Sequence, residues 1–197
     1  MSTGILILAA GSASRMQQPK MLLPFGKGTI LSQLLEETKA VHPKLICVVT
    51  GYYHTAMLPL LQTEPVMIVY NERWQEGMAG SIKTGLAALL EQQPELDSVM
   101  VLVSDQPFIT RKLLQEILET QQKSGKAIVA AFYNGVKGTP VLFNKQYFHH
   151  LQELQGDKGA KSILQLVPDD IATVDFAKGE MDIDTPEDYE RFCAHIK

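Results

Sequence analysis

Three stretches of this chain place chemically useful side chains beside small residues or at the end of an apolar run. The first is ILILAAGSASRMQQPK, residues 5–20, where an apolar run gives way to alanines, a glycine and then Arg15 and Lys20. Small residues let backbone amides approach an anion closely, and the two cations can neutralise it. The stretch is neither GxGxxG nor a Walker loop ending in GK[ST], so neither of those mechanisms applies. It reads either as a phosphate cradle or as a tight turn with two solvated charges. The second is SDQP, where Asp105 follows the apolar run SVMVLV. An acid there is either a turn former ahead of Pro107 or a ligand for Mg²⁺, which takes one or two protein carboxylates and completes its shell with phosphate and water oxygens. The third is MDIDTPEDY. Asp182 and Asp184 share a face if extended; alternatively Asp184, with Glu187 and Asp188, favours the start of a following helix.

Two further stretches are weaker. In NERWQEGMAGSIKTGL, Gly77, Gly80, Ser81 and Gly85 open a helix with small residues. Its first amides could face a ligand, or the glycines could serve close packing of helix on sheet. GDKGAK, residues 156–161, is a polar turn that is competent to meet an anion. No nucleophile–base pair stands out. His42, His54, His149, His150 and His195 have no motif around them, and HExxH and GxSxG are absent. Cys47 and Cys193 make neither a disulfide framework nor a CxxC site, and Cys47 in its apolar run reads as packing.

Apolar runs that read as strands lie at 4–9, 45–50, 66–70, 98–103, 127–132, 139–143 and 171–176. Helix-period segments lie near 29–41, 54–62, 79–92, 110–123, 145–154, 159–166 and 186–196, with Thr110 and Thr185-Pro186 as helix starts. Alternation of this kind predicts an α/β fold with a mostly parallel sheet covered by helices on both faces. The less regular late segments are candidates for an antiparallel strand and a substrate lid. In such sheets ligands sit at the carboxyl ends of strands, near the switch in strand order. The three reactive stretches all follow or adjoin such ends.

Residues 1–197 read as a single domain, and 45% hydrophobic with 20% charged residues is the ordinary balance of a globular chain with a real core. The formal charge of −4 argues against general nucleic-acid binding. No run approaches the roughly 18–20 apolar residues of a membrane span. The N-terminus lacks the pattern of a signal peptide. A cytoplasmic enzyme or binding protein with no membrane or nucleic-acid partner is the expectation.

LAAGSASRM…PKMLLP resembles the signature of the MobA-like nucleotidyltransferases, in particular their molybdenum cofactor cytidylyltransferase branch. NERWQEGMAGSIKTGL, SDQPF, GTPVLF, GDKGAK and DIDTPEDY follow in the order and spacing of that branch, so the resemblance spans nearly the whole chain. One departure is Gln17, where the family usually has glycine. The resemblance implies a Rossmann-like, three-layer domain of the nucleotide-diphospho-sugar transferase type. It implies Mg²⁺-dependent transfer of CMP from CTP to the terminal phosphate of molybdopterin, with release of pyrophosphate. The product would serve xanthine dehydrogenase-type enzymes, as in relatives from purine catabolism, and an apo-molybdoenzyme is the implied partner. Carried over, Leu8, Ala9, Ala10 and Gly11 would hold base and ribose, and Ser12, Arg15 and Lys20 the triphosphate. Gly77, Gly80 and Ser81 would complete the nucleotide pocket. Asp105 and an acid of the pair Asp182 and Asp184 would hold Mg²⁺. Gly156, Asp157, Gly159 and Lys161 would touch the acceptor. Arg15, Lys20 and Asp105 are the expected catalytic set. A GTP-dependent or sugar-phosphate transferase, or a non-catalytic cofactor carrier, are the competing readings.

Overall fold

The unbroken apolar run that opens the chain becomes Thr3–Ala9, a strand (β1) buried along its whole length at the centre of the sheet. In the computed structural model the described residues are 1–12, 16, 18–181, 183, 185 and 188–190. After β1 come a small antiparallel hairpin, Pro24–Phe25 (β2) and Gly28–Thr29 (β3), and then Leu45–Thr50 (β4), Met67–Tyr70 (β5) and Ser98–Val103 (β6). Ile128–Tyr133 (β7), Val136–Asn144 (β8) and Ile171–Asp175 (β9) complete the strands among the described residues. Seven of them form one sheet in the order β5-β4-β1-β6-β8-β7-β9. All pairings are parallel except those of β8, which runs antiparallel to both β6 and β7.

The seven expected strands are all present. The β2–β3 hairpin is an addition, since two-residue strands carry no periodicity. β8 begins earlier than expected because Asn134 and Gly135, both at positive φ, form a two-residue turn back from β7. Such a turn matches strand twist and dictates an antiparallel return.

Alternation along β1 sends its side chains to two different cores. Leu6 and Leu8 pack with Ile82, Leu86 and Leu89 of Met78–Gln92 (α3). The same face holds Phe148–Gln152 (α5) and Lys161–Leu166 (α6). Ile5, Ile7 and Ala9 pack with Ile30–Lys39 (α1), His54–Leu61 (α2) and Arg111–Ser124 (α4). The result is three layers, helix–sheet–helix. Thr110 caps α4 as its sequence implies, accepting the Leu113 amide. The expected helix over 145–154 is divided into a 3-10 turn, Lys145–Tyr147, and α5, because the Asn144 side chain takes the Gln146 amide and tightens the start. At the chain's end residues 188–190 are helical. Thr185 Oγ1 accepts the Asp188 amide while Asp188 Oδ2 accepts that of Thr185, a reciprocal cap.

A third, small cluster joins distant parts of the chain. Met16, Ile30 and Ile183 are buried together, with Phe25, Phe108 and Tyr189 packed around them.

Candidate active site

β4 lies on one side of β1 and β6 on the other, so the strand order switches at the centre of the sheet. Chain segments leaving the carboxyl ends of β1 and β6 therefore diverge and leave a crevice. A cleft of about 450 Å³ occupies it, walled by Leu8–Ser12, Lys20, Trp74, Gly77, Ser81, Asp105 and Asp157 among others.

Each wall is held by specific contacts. The Ser104 amide donates to the Leu8 carbonyl at 3.1 Å, carrying the β1–β6 ladder one step past the strand. The Tyr52 amide donates to the Ala10 carbonyl at 3.1 Å. Position 51 must be glycine for this approach: a Cβ there would lie 2.4 Å from Ala10 O. The turn after β1 is thus clamped from both neighbouring strands.

Lys20 opens a 3-10 turn, Lys20–Leu22, whose Met21 is buried beneath it. The Lys20 ammonium donates to Asp105 Oδ2 at 2.6 Å, although 85 residues separate them. Their side chains are 13% and 25% exposed, so the pair is accessible from the cleft yet shielded enough for its charges to matter. Asp105 already holds a cation, here an ammonium. No group of three or more His, Cys, Asp or Glu suited to a metal occurs among the described residues. The Asp105 carboxylate, in a cleft whose lining also holds Asp157, fits Mg²⁺, which takes one or two protein carboxylates and fills most of its shell with phosphate and water oxygens.

The opposite wall is built on Asn71, buried just after β5. Its Oδ1 accepts the Arg73 amide and its Nδ2 donates to Ser81 Oγ, both at 3.1 Å. Gly77, at φ +103°, leads into α3. A Cβ on it would meet the Gly156 carbonyl at 2.5 Å. The Ala79 amide donates to that carbonyl at 3.1 Å, which seats the 156–157 turn on the helix start.

Of the expected site residues, the structure brings Leu8, Ala9, Ala10, Gly11, Ser12, Lys20, Gly77, Ser81, Asp105 and Asp157 to one cleft. Gly80 stands beside Asn71, Gly156 lies behind Gly77, and Gly159 packs on the Met78 sulfur. Lys161 is exposed at the start of α6. Gly85 serves packing alone, since a Cβ there would lie 2.2 Å from Leu6 Cδ1. Arg15, Asp182 and Asp184 lie outside the described residues.

Sequence reasoning missed Trp74 in the wall and the buried polar residues Asn71 and Gln106. Their signal was adjacency: each follows a strand end that was already under suspicion. Among the described residues no histidine lines the cleft; His54 Nδ1 pairs with Thr50 Oγ1 at 2.7 Å. Cys47 is buried in the core, and desolvation pushes its thiol up to about 12, so it is inert at neutral pH. No helix among the described residues is long and apolar enough to cross a membrane.

Known proteins resemble this chain in sequence and fold. The "Molybdenum cofactor cytidylyltransferase" of Escherichia coli (strain K12) is 26% identical over 187 residues, 93% of this chain and 92% of that protein. The solved structure of an Rv0371c homolog from Mycobacterium sp. strain JC1 is 26% identical with a TM-score of 0.84, covering 98% of this chain and 96% of that one. Rv0371c of Mycobacterium tuberculosis H37Rv, solved in complex with manganese, shares the fold at 23% identity and a TM-score of 0.74, over 97% of each chain. Residues 5–173 match the family described as MobA-like NTP transferase domain. That match runs from β1 into β9 and includes both strand ends that form the cleft, so the chain belongs to the MobA-like NTP transferase family of nucleotidyltransferases.

Proposed function

We propose that the cleft transfers CMP from CTP to the terminal phosphate of molybdopterin, releasing pyrophosphate, for maturation of xanthine dehydrogenase-type enzymes. The observation that carries this reading is the Lys20–Asp105 pair at the switch point between β1 and β6. One group suits phosphate and the other suits a metal that phosphate brings. Likeness to the Escherichia coli cytidylyltransferase over nearly both lengths supports CTP and molybdopterin as the substrates.

In this reading Leu8–Gly11 hold base and ribose, with Gly77, Gly80 and Ser81 opposite. Ser12, Arg15 and Lys20 hold the triphosphate. Asp105, with an acid of the Asp182 and Asp184 pair, holds Mg²⁺, and the 156–161 turn meets the acceptor. A terminal phosphate oxygen of the acceptor attacks the α-phosphorus of CTP. The bond from that phosphorus to the bridging oxygen breaks, and pyrophosphate leaves with the electron pair. Because a phosphate is already a nucleophile, alignment and charge neutralisation matter more than a general base. Mg²⁺, when bound, supplies positive charge to the phosphate oxygens. Lys20 exchanges the Asp105 carboxylate for phosphate as the nucleotide enters, which leaves Asp105 open to the metal.

The deciding experiment is pyrophosphate release from CTP, Mg²⁺ and molybdopterin, with the dinucleotide identified by mass spectrometry. All three components should be required, and Asp105→Asn should abolish turnover. Binding of molybdopterin without pyrophosphate release would make the protein a carrier and overturn the reading.

A further inference from the structure

Gln106 is almost fully buried, 3% exposed, and directly follows Asp105, which lines the cleft. Its Nε2 donates to the Gly179 carbonyl at 3.0 Å, and its Oε1 accepts from Thr139 Oγ1 at 3.1 Å. A primary amide carries a donor and an acceptor on one group, which this bridge needs. From these contacts we infer that Gln106 is a positioning residue, whose amide sets Asp105 at a fixed place relative to the turn that leads to the C-terminal acids. This inference rests on the proposed role of Asp105 in holding a divalent cation.

The partner turn is well fixed. The Gly179 amide donates to the Phe176 carbonyl at 2.8 Å. A Cβ on Gly179 would lie 2.4 Å from the Tyr133 ring and 2.6 Å from that of Phe176, so the turn is pressed against β7 and its neighbour. A second tie joins the same two segments: Lys178 Nζ stands 4.4 Å from the centre of the Phe108 ring. Ile183, which sits in sequence between Asp182 and Asp184, is buried in the small cluster that Phe108 packs against. Gln106 and Phe108, both just after Asp105, are thereby bound to the segment that approaches the acidic pair. A backbone shift in this loop would move Asp105 directly, whereas the nucleotide walls at Ala10 and Asn71 have their own anchors.

The amide also makes a sharp test possible. Gln106→Glu keeps the size and can still accept from Thr139, but it turns a carboxylate oxygen toward the Gly179 carbonyl. Gln106→Leu removes both bonds, and Thr139→Val removes one. Mn²⁺ binding in the presence of CTP, read by electron paramagnetic resonance, is measured alongside kcat and the KM for CTP and the melting temperature. Gln106→Glu and Gln106→Leu should weaken Mn²⁺ binding and kcat by roughly 10–100-fold, the usual loss when a group orienting a metal ligand is removed. The KM for CTP should barely move, and Thr139→Val should fall between. Folded variants with wild-type Mn²⁺ affinity and kcat, whatever their melting temperature, would overturn the inference. Should Gln106→Leu fail to fold, Gln106→Glu and Thr139→Val decide in the same way. Asp105→Asn separates the two readings. If it leaves Mn²⁺ affinity unchanged, the ligand role of Asp105 fails and with it the inference that Gln106 acts through Asp105; if it lowers Mn²⁺ affinity while the Gln106 variants do not, the role of Asp105 stands and the inference alone falls.

Discussion

Lys20 and Asp105 neutralise each other across the cleft; in the proposed reading, substrate phosphates would compete for the ammonium. If that ammonium meets the charge building on the departing pyrophosphate, Lys20→Ala should lower kcat by roughly a hundredfold or more. Steady-state kinetics decides the point: a raised KM for CTP with unchanged kcat would mean uniform ground-state binding instead. Ala10 gives a second prediction at this scale. It lines the cleft and its backbone is pinned by the Tyr52 amide; in the proposed reading, where it meets the base, its methyl group would take room that a large purine needs. A methylene-sized difference is worth about 1–3 kcal/mol, so the preference for CTP over GTP should be finite, about 10–200-fold. Ala10→Gly should narrow that ratio of kcat/KM values without reversing it. Equal use of both nucleotides by the wild type would defeat the cytidylyl assignment.

At the scale of elements, the small residues that open α3 divide by role. Gly77 needs its positive φ and its close approach to Gly156, whereas Gly85 lets α3 sit on the sheet. A Cβ at position 85 would lie 2.2 Å from Leu6 Cδ1 and 2.6 Å from Val49 Cγ2, both on buried central strands. Gly85→Ala gains helix propensity but overpacks the interface, and overpacking costs about 1–3 kcal/mol. The midpoint of urea unfolding should therefore fall, and an unchanged midpoint would show that α3 can move away freely. The strands themselves were legible because buried parallel strands are continuously apolar. The antiparallel direction of β8 was also written in the chain, in Asn134-Gly135, but it is legible only once that pair is treated as a hairpin turn.

For the molecule as a whole, the end of the sheet opposite the cleft is closed by Asp97 just before β6 and Ser2 just before β1. Asp97 Oδ2 accepts the Ser2 amide at 2.8 Å and the Ser2 hydroxyl at 3.2 Å. The Ser2 backbone bond is the largest cause holding the Asp97 carboxyl below the usual aspartate value, with the Ser2 hydroxyl and the Lys145 charge adding to it. A folded value below the unfolded one stabilises the protein above about pH 4 and is lost as the pH falls through the folded value. Asp97→Asn should thus melt below the wild type at pH 7, and the gap should close as the pH drops below about 4. A gap that is constant with pH would show that the carboxylate's charge plays no part.

The chain's sequence by itself determined the alternating strands and helices, the two-faced burial and the reactive stretches at strand ends. Those are properties of local periodicity and of residue type, which neighbours in sequence decide. Only the tertiary structure decided which stretches meet. Lys20 and Asp105 face each other because β1 and β6 are adjacent in the sheet, a pairing that no local pattern encodes. The same holds for Gln106, whose amide finds Thr139 and Gly179 through the β6–β8 pairing and the turn after β9. A buried polar side chain shows its purpose only when its partners are in place, because an amide in a strand-end loop looks the same in sequence whether it is solvated or bridging.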